Sequence, residues 1–214
     1  MEKMDEFFTA RVNIYDEHML EEVEGCAEAY IKMAQLLPEN SKTLLDLGCG
    51  TGLELDQIFK KFPALAVTGI DLTRAMLDRL KQKHPSKQLR LLCGNYFEVD
   101  LGKSTYDCAV SFQTMHHFAK EEKVNLYHRI WEALKEDGLY IECDYMVEEQ
   151  AEEDLYYAEN ARLRKELNIR ENEFYHYDTP CTVKNQLSMF ETAGFSKAEK
   201  VFRVENTTII VAYK

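Results

Sequence analysis

The sequence predicts an α/β fold: an open, doubly wound sheet of seven strands, mostly parallel, with an antiparallel terminal hairpin strand and a helical cap insertion. Three observations predict it. Short apolar runs alternate with helical patterns five times in succession. Those runs are continuously apolar, as strands covered on both faces are. The rhythm then breaks, and the chain ends in two strands, KAEKVFRV and TTIIVAY, joined by the short turn EN, which sets them antiparallel. Because β–α–β crossovers are right-handed, such a sheet stays open and wound on both sides.

The elements follow in order. Residues 18–36 read as one helix, with Met19, Val23, Cys26, Ala27 and Tyr30 on one face. TLLDLG is the first strand. Residues 53–62 place Leu55, Ile58, Phe59 and Phe62 on one helical face, ended by Pro63. ALAVTGID is the second strand, and Thr73 opens a helix to residue 84. QLRLLCG and TYDCAVSF are the third and fourth strands. Residues 119–136 are a helix with Val124, Tyr127, Ile130, Trp131 and Leu134 in register, and KEDG turns into the fifth strand, LYIECDYM. Residues 148–168 are charged and helical, and 169–180 are polar and aromatic without period. A last helix, 182–193, closes at Gly194.

A chain of 214 residues, 45% of them apolar, supports one domain over 1–214 with room for an insertion. Its parts are an N-terminal helical segment, 1–40, and a cap insertion, 148–180. No window approaches the ~18 apolar residues of a membrane span, and MEKMDEFF lacks a signal peptide's basic start and apolar middle. A cytoplasmic protein with no membrane partner is expected. The six cysteines contain no CxxC pair and are expected to be reduced and mostly buried. No metal is expected: HxxxH and HExxH are missing, and adjacent His116 and His117 are expected to diverge. The net charge of −12 disfavours nucleic acid as a partner. Oligomeric state has no signature.

Function rests first on LLDLGCGTGLELD, residues 44–56. Gly48, Gly50 and Gly52 occupy alternate positions between a strand and a helix. A turn without Cβ atoms there lets a ligand approach the backbone. The dinucleotide fingerprint GxGxxG needs its third glycine one position later, where Leu53 stands, which disfavours a nicotinamide oxidoreductase. The spacing is DxGxGxG, from Asp46 to Gly52. Asp71 ends the second strand, where a carboxylate can accept from two ribose hydroxyls.

This combination resembles motif I of the class I S-adenosylmethionine-dependent methyltransferases, of the type acting on small molecules. YDCAVSFQTMHHF and LKEDGLYIECDY resemble that family's fourth and fifth strands, and the terminal hairpin resembles its antiparallel last strand, inserted beside strand five. The resemblance implies S-adenosyl-L-methionine as cofactor and S-adenosyl-L-homocysteine as product. It implies that Asp46 lies near the methionine amino group, with Gly48, Cys49, Gly50 and Gly52 against the methionine end. Asp71 would hold the ribose, Leu72 and Tyr96 would flank the adenine, and Gln113 would line the methyl-donor end. Asn95 stands where the family places an Asp accepting from the adenine amine, and offers an uncharged acceptor instead. ARVNIYDEHM resembles the segment whose tyrosine covers the cofactor, here Tyr15, with Arg11 on the same face if that segment is helical.

His116 and His117 follow the fourth strand, where acceptors bind in this family. With Tyr15 they are the candidate catalytic residues. Arg11, Tyr175, His176 and Tyr177 are candidates for a lid over a small-molecule acceptor, with Tyr15 approaching from the opposite side. Two other readings remain open: an RNA-modifying methyltransferase on the same fold, and a S-adenosylmethionine binder without catalysis.

Overall fold

Helix α1 spans Met4–Arg11 and α2 spans Tyr15–Glu17 in the computed structural model, which describes residues 1–170 and 173–214. A π-helical turn, His18–Glu22, precedes α3, Cys26–Leu36. The single helix expected over 18–36 is therefore broken. Gly25 breaks it: the residue is left-handed at φ 79°, and a Cβ there would meet Val204 Cβ at 2.7 Å. Only glycine lets the chain turn so close to the terminal hairpin.

Strand β1, Thr43–Leu47, leads to α4, Leu53–Lys61, and β2, Ala66–Asp71, leads to α5, Arg74–Lys83. β3 is Leu89–Cys93. β4, Tyr106–Phe112, is followed by a 3-10 turn at Met115–His117 and by α6, Lys120–Ala133. β5, Leu134–Val147, is longer than the apolar run suggests; KEDG survives inside it as a register shift, with Asp137 at φ 60°. The cap holds α7, Gln150–Glu166; residues 171 and 172 of the expected cap lie outside the described residues. β6, Cys181–Thr182, α8, Val183–Ala193, β7, Lys197–Val204, and β8, Thr207–Tyr213, complete the chain.

The strand order is β3-β2-β1-β4-β5-β8-β7, with β6 added to β5. β8 runs antiparallel to both β5 and β7, as the hairpin requires. The sheet thus has eight strands rather than seven; a two-residue strand leaves no periodicity to read. Leu44 packs with α3 and α4 on one face, while Leu45 and Leu47 pack with α6 and α8 on the other. This alternation explains why the strands are apolar throughout. Each fully buried leucine contributes about 1.5–3 kcal/mol. Strand order reverses between β1 and β4, so their carboxyl ends flank the crevice where open α/β sheets bind ligands.

Candidate active site

The turn after β1 is built from three left-handed glycines that do different things. A Cβ on Gly52 would meet Leu80 Cδ1 at 2.3 Å, and one on Gly48 would meet Thr114 Oγ1 at 2.6 Å. These two permit close packing. A Cβ on Gly50 would find nothing nearer than Tyr15 Cε1 at 3.8 Å. Gly50 alone of the three faces open space, beneath the tyrosine. Cys49 departs from expectation: its Sγ points at Gly69 on β2, and the buried thiol lines neither cleft of the site.

Asp71 Oδ2 accepts the Gly50 N–H at 2.9 Å and Oδ1 accepts the Thr73 N–H at 2.7 Å. Burial pushes this carboxyl up to about 6, partly offset by the two backbone donors. Asp46 is 1% exposed, and neither of its oxygens has a hydrogen-bond partner among the described residues. Burial, then the neighbouring Glu54, raises it well above the usual carboxylate range. Burial pushes Glu54 itself up to about 7. Two adjacent buried acids, with both Asp46 oxygens unpartnered among the described residues, form a place for a ligand's ammonium group, since unpaired buried charge is costly. Glu54 was not recognised in the sequence, where it reads as a first-turn helical acid.

A narrow cleft of about 50 Å³ runs between Gly48, Gly50, Asp71, Leu72, Asn95, Tyr96 and Gln113. Tyr96 shares a hydrogen bond with Thr114 at 3.0 Å. Asn95 Oδ1 accepts the Phe97 N–H at 2.9 Å, so the oxygen expected for an adenine amine is already engaged locally. Met4, Phe8, Tyr15 and Phe174 cover the cleft. Ligand pockets run to roughly 300–1,000 Å³, so these covering groups must move to admit a nucleoside.

A second cavity, of about 750 Å³, shares Phe8, Tyr15 and Gln113 with the first. Gln113 directly follows β4 at φ 50°, and its amide points to Thr207 Oγ1 at 3.4 Å. Such strain in a non-glycine residue is concentrated at ligand sites. His116, His117, His176, Asp178 and Arg11 line the larger cavity. The His116 and His117 rings do not diverge; the 3-10 turn brings their centroids to 4.0 Å. His116 Nδ1 meets Asp144 Oδ1 at 2.5 Å, and its Nε2 faces Asp178 Oδ1 at 3.5 Å. Burial opposes protonation of His116, but Asp144 and Asp178 outweigh it and hold its pKa above the ordinary value. Burial, then His116 and His176, drives His117 well below it. Asp144 and Asp178 went unrecognised in the sequence. Asp144 had one legible signal, its place near the carboxyl end of β5, the counterpart of Asp71 on β2.

The cover differs from the expected lid. Arg11 does not share a helical face with Tyr15, because residues 12–14 separate α1 from α2; it stacks on Phe7 at 3.7 Å and pairs with Glu2 at 3.1 Å. The N-terminal and cap segments are joined rather than opposed. Lys3 and Tyr175 form an antiparallel bridge, the Met4 N–H donates to Phe174 O at 3.1 Å, and the His176 N–H donates to Glu2 O at 2.9 Å. Tyr175 and Tyr177 line neither cleft; Tyr177 offers its carbonyl to His117 Nδ1 at 3.3 Å. Burial, then Glu54 and Asp71, raises the Tyr15 phenol far above its ordinary value, so it is a neutral donor and not a base.

The family model of a methyltransferase domain matches residues 44–138, from β1 through the irregular start of β5, and so contains the glycine turn and Asp71. These residues are a methyltransferase domain, and the chain is similar to S-adenosylmethionine-dependent methyltransferases. The carboxy-S-adenosyl-L-methionine synthase of Campylobacter lari is 24% identical to this chain, over all of this chain and 96% of that one. A solved Nostoc punctiforme structure assigned as an O-methyltransferase superposes with a TM-score of 0.74 at 23% identity, covering 100% of this chain and 62% of that one. Human N-acetylserotonin methyltransferase, solved with its methyl donor, superposes at 0.66 with 17% identity, covering 97% of this chain and 55% of that one. At these identities the solved structures establish the fold. The methyltransferase uses S-adenosylmethionine, and the orphaned Asp46 carboxylate and the open approach at Gly50 fit that cofactor. Among the described residues no helix is long and apolar enough to cross a membrane.

Proposed function

We propose that this methyltransferase transfers its methyl group to a small molecule held in the 750 Å³ cavity. The observation that carries this reading is the shared wall: Phe8, Tyr15 and Gln113 border both the cofactor cleft and the larger cavity. A methyl group presented at that wall meets an acceptor without crossing water. Asp46, with Glu54, takes the cofactor's ammonium group, Asp71 takes the ribose hydroxyls, and Leu72 and Tyr96 flank the adenine. Tyr15 closes over Gly50. The sulfonium already activates the methyl group, so placement of a nucleophile about 3 Å away is the main task. His116, braced by Asp144, lines the cavity and is placed to take a proton from an acceptor O–H or N–H, with His117 beside it. Phe7, Phe8, Ile14, Tyr145 and His176 give the cavity an aromatic and apolar lining suited to a small molecule.

The test is single-turnover incubation with S-adenosylmethionine and panels of phenols, amines and thiols, read by mass spectrometry of cofactor and acceptor. S-Adenosylhomocysteine appearing together with one methylated small acceptor supports the reading. Its appearance only with transfer RNA would overturn it. The full-length similarity to carboxy-S-adenosyl-L-methionine synthases favours one second reading, modification of the cofactor itself. A cofactor recovered heavier by one carboxylate when a carboxylic-acid donor is added to the incubation, with no methylated acceptor, would establish that instead.

A further inference from the structure

We propose that His116, His117 and Asp178 form a binding site for one divalent transition-metal ion of the zinc type. The expectation against a metal rested on the missing HxxxH and HExxH spacings and on divergence of two adjacent histidines, and the 3-10 turn removes the second ground. Ligand atoms of the three side chains lie within 4.8 Å of one another. Asp178 Oδ1 stands 3.5 Å from His116 Nε2 and 3.4 Å from His117 Nδ1. Those separations are long for hydrogen bonds. They match the edge of a tetrahedron about 3.3–3.6 Å long, which ligand bonds of ~2.0–2.2 Å generate around zinc. The donor set of two imidazoles and one carboxylate suits zinc, iron or cobalt rather than magnesium or calcium.

The surroundings are those of a metal site. Asp144 takes the Nδ1–H of His116 at 2.5 Å, which directs the Nε2 lone pair toward Asp178; metal-bound histidines are braced in this way by a carboxylate. His117 Nδ1 also faces the Tyr177 carbonyl at 3.3 Å, and it becomes a ligand in the tautomer that carries its proton on Nε2. All three ligands line the 750 Å³ cavity, so the remaining coordination position opens where the acceptor would bind. With the ion bound, His116 is a ligand rather than a base. An acceptor hydroxyl or thiol coordinated there is acidified, its proton passing to bulk water. The ion would also tie the cap, through Asp178, to the turn after β4.

The site itself stands apart from the identity of the acceptor, so it is tested without one. Full-length protein is stripped with a chelator, dialysed and titrated with Co²⁺ as a spectroscopic probe, followed by Zn²⁺ competition. One equivalent should bind with the visible d–d bands of a four- or five-coordinate site and be displaced by Zn²⁺. Asp178→Asn and His117→Ala should each weaken binding at least tenfold. His18→Ala, which removes a surface histidine paired with Glu22, should leave it unchanged. S-Adenosylhomocysteine binding serves as the check that each variant is folded. Absence of stoichiometric binding in folded wild-type protein would overturn the proposal. So would equal affinity in folded Asp178→Asn, or loss of the bands in His18→Ala alone.

Discussion

The carboxylate of Asp71 accepts the backbone N–H of Gly50 at 2.9 Å, tying the tip of β2 to the glycine turn after β1. One acid therefore shapes the loop and, on the reading above, holds the cofactor's ribose. Asp71→Ala should weaken S-adenosylhomocysteine binding by about 2–3 kcal/mol in calorimetry, because a bidentate acceptor and a loop anchor go together. The pH dependence has a definite sign. Burial lifts this carboxyl to about 6, so it protonates as pH falls through that value and stops accepting two hydroxyls. Affinity should drop roughly tenfold from pH 7 to pH 5. Asp71→Asn should bind weakly at both, and a wild-type affinity flat over that range would exclude the assignment.

The glycines separate by experiment. Gly52→Ala drives a methyl group into Leu80 at a left-handed residue, so it should cost about 1–3 kcal/mol of stability in urea unfolding. Gly50→Val meets no packed neighbour; its main conflict is with whatever approaches under Tyr15. It should unfold within about 1–2 kcal/mol of wild type, given the strain at φ 47°, yet lose cofactor binding. Normal binding by Gly50→Val would show that this turn is not the cofactor's cradle.

Asp144 is buried behind His116 and does not line either cleft. Asp144→Asn should lower kcat about 10–100-fold while S-adenosylhomocysteine affinity stays within threefold, since bracing partners act through the group they orient. Unchanged turnover would remove His116 from the chemistry.

Glu142, fully buried on β5, accepts from Tyr140 at 3.0 Å and from Gln186 at 2.5 Å. Burial, then Asp144, pushes it up to about 8, with Lys123 pulling the other way. A carboxyl raised above its unfolded value binds its proton more tightly in the folded chain. Its contribution is therefore present at low pH and lost as pH rises through the folded value. Wild-type stability should fall by ~2 kcal/mol between pH 6 and pH 9 relative to Glu142→Gln, measured by urea unfolding at each pH. Parallel profiles for the two proteins would place the titration elsewhere.

The strands and most helices were legible because their signals are local: apolar runs for β1 to β5, one helical face for α4, EN for the hairpin. So was the glycine turn, whose spacing is contiguous. What escaped depends on contacts distant in sequence. Asp178 meets His116 only because the cap folds back over the turn after β4, and nothing in YHYDTP announces that return. Gly25 breaks a helix for the sake of Val204, far along the chain. Asn95 shows the converse: CGNYF brings it to the narrow cleft, but its oxygen is used by Phe97 N–H two residues on.

Joining of the N-terminal and cap segments makes the last prediction. Lys3 bridges Tyr175, and the Met4 and His176 amides donate across the same junction, so residues 2–4 and 174–176 form one short two-stranded cover. Two strands held by so few bonds open more readily than the sheet beneath them. Phe8 and Tyr15 hang from this cover over the cofactor cleft, and His176 stacks on Phe7 at 3.6 Å beside the larger cavity. Opening on one side must therefore release the other. The Met4 and His176 amides should exchange with deuterium at matching rates, faster than those of β4. Both should slow together when S-adenosylhomocysteine and an acceptor analogue bind. Tyr15→Ala and Phe8→Ala should cut turnover more than tenfold while changing stability by less than about 2 kcal/mol, because each is only partly buried, packing on the core from its edge where it covers the site. Independent exchange of the two amides, or slowing of only one of them, would mean two separate flaps, and full turnover in both variants would leave the junction without a part in catalysis.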